Sequence, residues 1–176
     1  MIFGSERNFM ISLELTDKKT FMNQLLRGEI FDHFLMPEGV IAQDFTFSID
    51  GHLKKEYFTG EELEEKNLTV GDTLPYSYIR PALYQLIRGK KTPVYFKFVL
   101  MLSPANLEKT LALSESGLTL TDVAGMFLNI TYQNGSLSIT TGISYKTFTK
   151  DQTLNHEWDI MVKKFLSKHS MAWEEL

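Results

Sequence analysis

Residues Pro93 to Leu113 read PVYFKFVLMLSPANLEKTLAL. The first half is rich in aromatic and β-branched residues, which suit a pleated, half-buried strand. Ser103 then offers a hydroxyl to cap a helix, and Pro104 takes the first helical position, where its missing N–H costs nothing. Leu107, Leu111 and Leu113 give that helix its apolar side. The stretch therefore predicts strand, sharp turn, short helix. The chain opens on the same sentence: Ile11 to Leu26 read ISLELTDKKTFMNQLL. Ile11, Leu13 and Leu15 alternate with polar residues, Thr16 is the expected cap with Asp17 in the first turn, and Phe21, Met22, Leu25 and Leu26 form one stripe. Gly28 is the expected stop.

Between these stretches the text favours strands. Phe31, Phe34 and Leu35 precede an expected break at Pro37-Glu38-Gly39. Phe45, Phe47 and Ile49 alternate, and Asp50-Gly51 is read as a hairpin turn with a return strand over His52 to Phe58. Asp32 and His33 are placed in a strand, on opposite faces. Thr59 to Thr73, with four glutamates, is read as a solvated loop holding a short helix near Glu61–Lys66. Pro75, Ile79, Ala82, Leu83, Leu86 and Ile87 share a helical face, with Pro81 expected in the first turn and Gly89 as the stop.

Downstream, Leu118 and Leu120 suggest a short strand. Met126, Leu128, Ile130 and Tyr132 alternate, Asn134-Gly135 turns, and Leu137, Ile139 and Thr141 return. A two-residue loop puts Tyr132 opposite Leu137 and Ile130 opposite Ile139. A further strand is expected over Ile143 to Phe148. The last helix is read over Leu154 to Lys168, striped by Trp158, Met161, Val162, Phe165 and Leu166. Glu157 and Asp159 at its start and Lys163, Lys164 and Lys168 at its end are read as answering the helix dipole. Met171 to Leu176 is read as a tail.

The order of elements occurs twice. The helices beginning at Pro75 and Leu154 are displaced by 79 positions, Gly51 and Gly135 by 84, Thr16 and Ser103 by 87. This predicts an α+β fold: a tandem duplication of a strand–helix–(three or four strands)–helix unit, over residues 10–90 and 93–170. One compact body with a mostly antiparallel sheet and helices on one face should result. That order resembles the fold of the TATA-box-binding protein and of sliding-clamp domains; the likeness is of topology and implies no activity. The stretches FMNQLL…FDHFL, YIRPALYQLIRGKKTP, MFLNITY and HEWDIMVKKFL resemble an uncharacterised bacterial family, of the Firmicutes type, with no assigned activity.

The chain has 176 residues, 43% hydrophobic and 23% charged, ample for a core. It has no cysteine, which excludes disulfides and thiolate chemistry. Residues Met1 to Phe9 fit no element and are expected to be an unstructured extension, with Met10 the expected natural start. They lack the basic-then-apolar pattern of a leader, so the expected compartment is the cytoplasm. Net charge is −4, with 10 cations against 14 carboxylates in the first 90 residues. That balance disfavours a dedicated nucleic-acid binder.

His33, His52, His156 and His169 make no metal-ligand spacing, and neither a nucleophile elbow nor a phosphate-binding loop occurs, so no catalytic residue, metal or cofactor is assigned. The charged feature that stands out is Arg80, Arg88, Lys90, Lys91 and Lys97, without an acid between them. With Tyr84, and with Tyr76 and Tyr78 nearby, it is the candidate contact for an anion or nucleic acid. Against it, cations at a helix end answer the dipole, and a lysine marks an edge strand. The reading favoured is a non-catalytic cytoplasmic binding or interaction module with an unidentified partner, a protein or a second copy among the choices. A nucleic-acid-associated protein using the sheet face or the 80–97 patch is the alternative, and an enzyme with a dispersed site the second.

Overall fold

The computed structural model describes residues 11–68, 71–89 and 91–176. The expected extension over residues 1–9, the proposed start at Met10, and Lys90 lie outside the described residues.

Among the described residues seven strands form one sheet in the order β3-β2-β4-β5-β6-β1-β7, and every pairing in it is antiparallel. The strands are β1 (Ser12–Leu15), β2 (Phe34–Ala42), β3 (Thr46–Asp50), β4 (Tyr95–Leu102), β5 (Val123–Gln133), β6 (Ser136–Tyr145) and β7 (Trp173–Glu175). The helices are α1 (Lys18–Leu26), α2 (Gly60–Glu65), α3 (Tyr76–Ile87), α4 (Pro104–Leu113) and α5 (Thr153–Lys168). The expected α+β class stands.

Alternation decides which face is covered. Phe96, Phe98, Leu100 and Leu102 of β4, Met126, Leu128 and Ile130 of β5, and Leu137 and Ile139 of β6 are buried. They join Phe21 and Leu25 of α1, Tyr76 and Leu83 of α3, Leu107 and Leu111 of α4, and Trp158 and Val162 of α5 in one core. Helices α1, α3, α4 and α5 lie on this face, α3 against β2 and α1, α4 against β4, α5 against β6; α2 buries no residue.

Ser103 caps α4, its hydroxyl accepting from the Asn106 N–H at 3.3 Å. The Asn134-Gly135 turn has φ values of 53° and 76°, which the two-residue hairpin loop requires. Its register is the expected one, Tyr132 on Leu137 and Ile130 on Ile139.

Elsewhere the local text misleads. The cap of α1 is Asp17, whose carboxylate accepts from the Thr20 N–H, so the helix starts one residue later than a Thr16 cap would give. Asp32 and His33 stand in a turn, not a strand. Strand β2 runs through Pro37-Glu38-Gly39; a register shift between Leu35 and Glu38 absorbs the proline, which has no N–H for the ladder. The β2–β3 hairpin turns at residues 43–45, and no return strand follows Asp50-Gly51. Residues 55–57 form a 3-10 turn, and His52 makes only an isolated bridge to Thr73. Gly51 is there for space: a Cβ would stand 1.6 Å from the Met36 carbonyl oxygen. Pro81 lies inside α3, one turn later than expected. Leu118 and Leu120 lie outside any strand, Ile143 to Tyr145 continue β6, and the supposed tail supplies β7.

The expected unit of three or four strands between two helices is not what the halves contain: two strands follow the first helix in each, α2 is an extra helix in the first half, and the strand partners are not equivalent. Strand β4 lies between β2 and β5, whereas its counterpart β1 lies between β6 and β7. Two junctions, β2–β4 and β6–β1, join residues of the two halves, so each half completes the sheet of the other.

Candidate binding groove beside the last helix

The 80–97 cations do not converge. The Arg80 guanidinium grips Asp32 with two bonds of 2.9 Å, and both side chains are under 20% exposed. That fork holds the Arg80 pKa above its ordinary value, and the pair carries no free charge. Tyr84 is half-buried under Arg27, 5.4 Å from its ring centroid. Tyr76 is buried and donates its hydroxyl to the Leu25 carbonyl at 2.8 Å; burial pushes its pKa upward. Tyr78 meets Lys66 and Phe58 instead. Arg88 and Lys91 are exposed beyond the end of α3. Lys97 points to the opposite face of the sheet, level with Val40 and Thr131.

That opposite face is a poor anion platform. Its strand residues carry one cation, Lys97, against Glu14, Glu38, Asp50 and Glu174. The rest is mainly Ser, Thr, Asn and Gln, with an apolar corner of Leu35, Met101 and Phe127.

A more distinctive site lies on the covered face, where β2 begins and β4 ends. A groove of about 300 Å3 opens there between the sheet and α5. Leu128, Trp158 and Val162 make its buried floor. Trp158 is fixed by its indole N–H, which donates to the Phe127 carbonyl at 3.0 Å. Phe34, Leu102 and Phe165 form the walls. Phe165 stands edge-on to Phe34 at 5.9 Å and tilted against Phe31 at 5.5 Å, so the wall is an aromatic cluster. Met161, 40% exposed, with Lys164 and Lys168, forms the rim. On the other side of Met161 a second shallow hollow carries Ile160 and the 87%-exposed Leu113.

The carboxylates of α5 leave this groove alone. Glu157 accepts from the Glu115 N–H at 3.0 Å and from the Ser114 hydroxyl. Asp159 is buried and accepts from the Thr141 hydroxyl at 2.6 Å; burial raises its pKa. Neither therefore serves the helix dipole as the sequence suggested. Of the three lysines, Lys163 is occupied, 3.0 Å from Glu175 and 5.7 Å from the Trp173 ring. Lys164 and Lys168 have no carboxylate partner among the described residues. In sequence terms the signal was present in part: Met161, Lys164, Phe165 and Lys168 fall one turn apart on one side of α5. What it lacked was the far wall.

The one histidine–carboxylate couple among the described ion pairs is His52 with Asp50, both about 60% exposed, with Lys54 also on the carboxylate at 3.0 Å. These bonds hold the Asp50 pKa far below the usual carboxylate range. No group of three or more His, Asp or Glu that could hold a metal occurs among the described residues. No helix among them is long and apolar enough to cross a membrane.

A protein-family model described as a family of unknown function, DUF5721, matches residues 24–174. No curated protein and no solved structure matches the chain.

Proposed function

We propose, for a chain that belongs to the DUF5721 family of unknown function, that it is a non-catalytic binding module whose site is the groove beside α5. One observation carries the reading: seven apolar side chains line the groove, and the two polar residues with them, Lys164 and Lys168, stand unpaired at its rim. Apolar lining with a few orienting polar groups is the usual make-up of a small-molecule site.

The nucleic-acid alternative draws less support. Its leading cation, Arg80, is neutralised by Asp32, and the sheet face is acidic. The enzyme alternative would rest on His52 and Asp50, whose open setting gives none of the water exclusion that makes such a couple effective. On this reading the protein works in the cytoplasm, in keeping with its cysteine-free sequence.

The test uses a neutral fluorescent apolar probe, N-phenylnaphthylamine. The native protein should enhance its emission saturably, and Met161→Glu, which puts a charge on the rim without touching the buried floor, should abolish most of that signal. Equal enhancement by both proteins, or none by either, would sink the proposal.

A further inference from the structure

The geometry points to a free medium-chain carboxylate as the ligand: an unbranched alkyl chain lying on Trp158 and Val162, its head group held by Lys164 and Lys168. This inference rests on the groove reading above. An open groove of about 300 Å3 is of the right order for a medium-length alkyl chain, whose methylenes each take up about as much space as a water, ~30 Å3. The floor suits an apolar group such as an alkyl chain, because the one polar atom it contains, the indole Nε1 of Trp158, is already committed to the Phe127 carbonyl.

The head group follows from the rim. Lys164 and Lys168 are four residues apart, one turn of α5, so both amines can reach one group at the groove's mouth. Each amine is a compact point charge on a flexible stem. Phosphate sites more often add backbone N–H donors at a helix N-terminus or an arginine fork. Here Lys168 ends the helix, where carbonyl oxygens point outward and disfavour a dianion. A monoanion is the better match. A cationic head is repelled, and a neutral one leaves the amines unused.

The experiment is calorimetric titration of the full chain with decanoate, decanol, decylamine and decyl phosphate, each below its aggregation concentration. Decanoate should bind about fivefold tighter than decanol, the yield of one partly exposed ion pair. The preference should shrink in 1 M salt, where screening acts within about 3 Å. In the double variant Lys164→Gln/Lys168→Gln, decanoate should fall to the level of decanol while decanol is unchanged; both lysines are exposed, so the fold is not at stake. If decanoate and decanol bind equally, or if decylamine or decyl phosphate binds tighter than decanoate, the carboxylate inference is overturned and the groove reading stands. If none of the four binds, both fall.

Discussion

The two faces of the sheet are built from the same strands and do opposite work. On the covered face Phe98, Leu100, Leu128, Ile130 and Ile139 are sealed under helices. On the open face their sequence neighbours Lys97, Asn129, Thr131, Ser138 and Thr140 meet water in polar rows. The covered face holds nearly all the apolar burial, so it supplies the stability and, where α5 leaves a gap, the groove. The open face offers small polar groups and an excess of carboxylate. A strand's period of two separates the roles without any change of backbone.

Substitutions should sort by face. The largest loss is expected for Trp158→Ala, which empties the groove floor and strands the Phe127 carbonyl: about 3–5 kcal/mol, read from urea unfolding. Next comes Asp32→Ala, which leaves the guanidinium of Arg80 uncompensated in a partly buried setting. It should cost about 1–3 kcal/mol, with Lys97→Ala at the other end of the same cation-rich stretch close to neutral. If the two cost the same, Arg80 depends on its partner no more than a surface cation does.

Acid–base behaviour gives a sharper comparison. Asp159 has its pKa raised in the folded chain by burial. Its contribution is therefore full at pH below the unfolded carboxylate value and is lost as pH rises through the folded one. Asp17, Glu62 and Asp151 are lowered by hydrogen bonds from Thr20, Thr59 and Thr153, so their contribution fades as pH falls. Asp159→Asn should remove the decline that begins as pH passes the ordinary carboxylate value and ends at the raised folded one, and leave the acid limb in place. A urea-midpoint profile that kept this decline in the variant would refute the assignment.

Smaller effects belong to the open face. Glu14 and Glu174 stand directly opposite on β1 and β7. Glu174→Lys should turn that repulsion into attraction and raise stability by about 0.2–1 kcal/mol at low salt. Thr131→Ala should change it by less than about 0.5 kcal/mol. A large cost there would mean that the open face is covered by something in solution.

The two halves of this comparison were unequally legible beforehand. The alternation in Met126–Tyr132 and the Asn134-Gly135 turn give strand, face and register together, because all three depend on residues within a few positions of each other. The same signals failed at Asp50-Gly51, where the glycine answers to the Met36 carbonyl, a contact 15 positions away in the chain. They failed again at Met171 to Leu176, where nothing local marks Trp173–Glu175 as a strand until β1 is there to pair with it. The 80–97 patch looked basic because Asp32, 48 positions from Arg80, lies outside it in the chain and against it in space.

The amino-acid order alone thus determined the elements with strong internal period and good punctuation: the long hairpin, the Ser103-Pro104 turn into α4, and the apolar stripe of α5. Tertiary structure alone decided the strand order, the cations left without a partner, and the gap under α5. The physical reason is range. Period and capping are settled within one or two turns of chain. A groove with walls from Phe34, Leu102 and Phe165 exists only once segments more than 120 residues apart have been packed side by side.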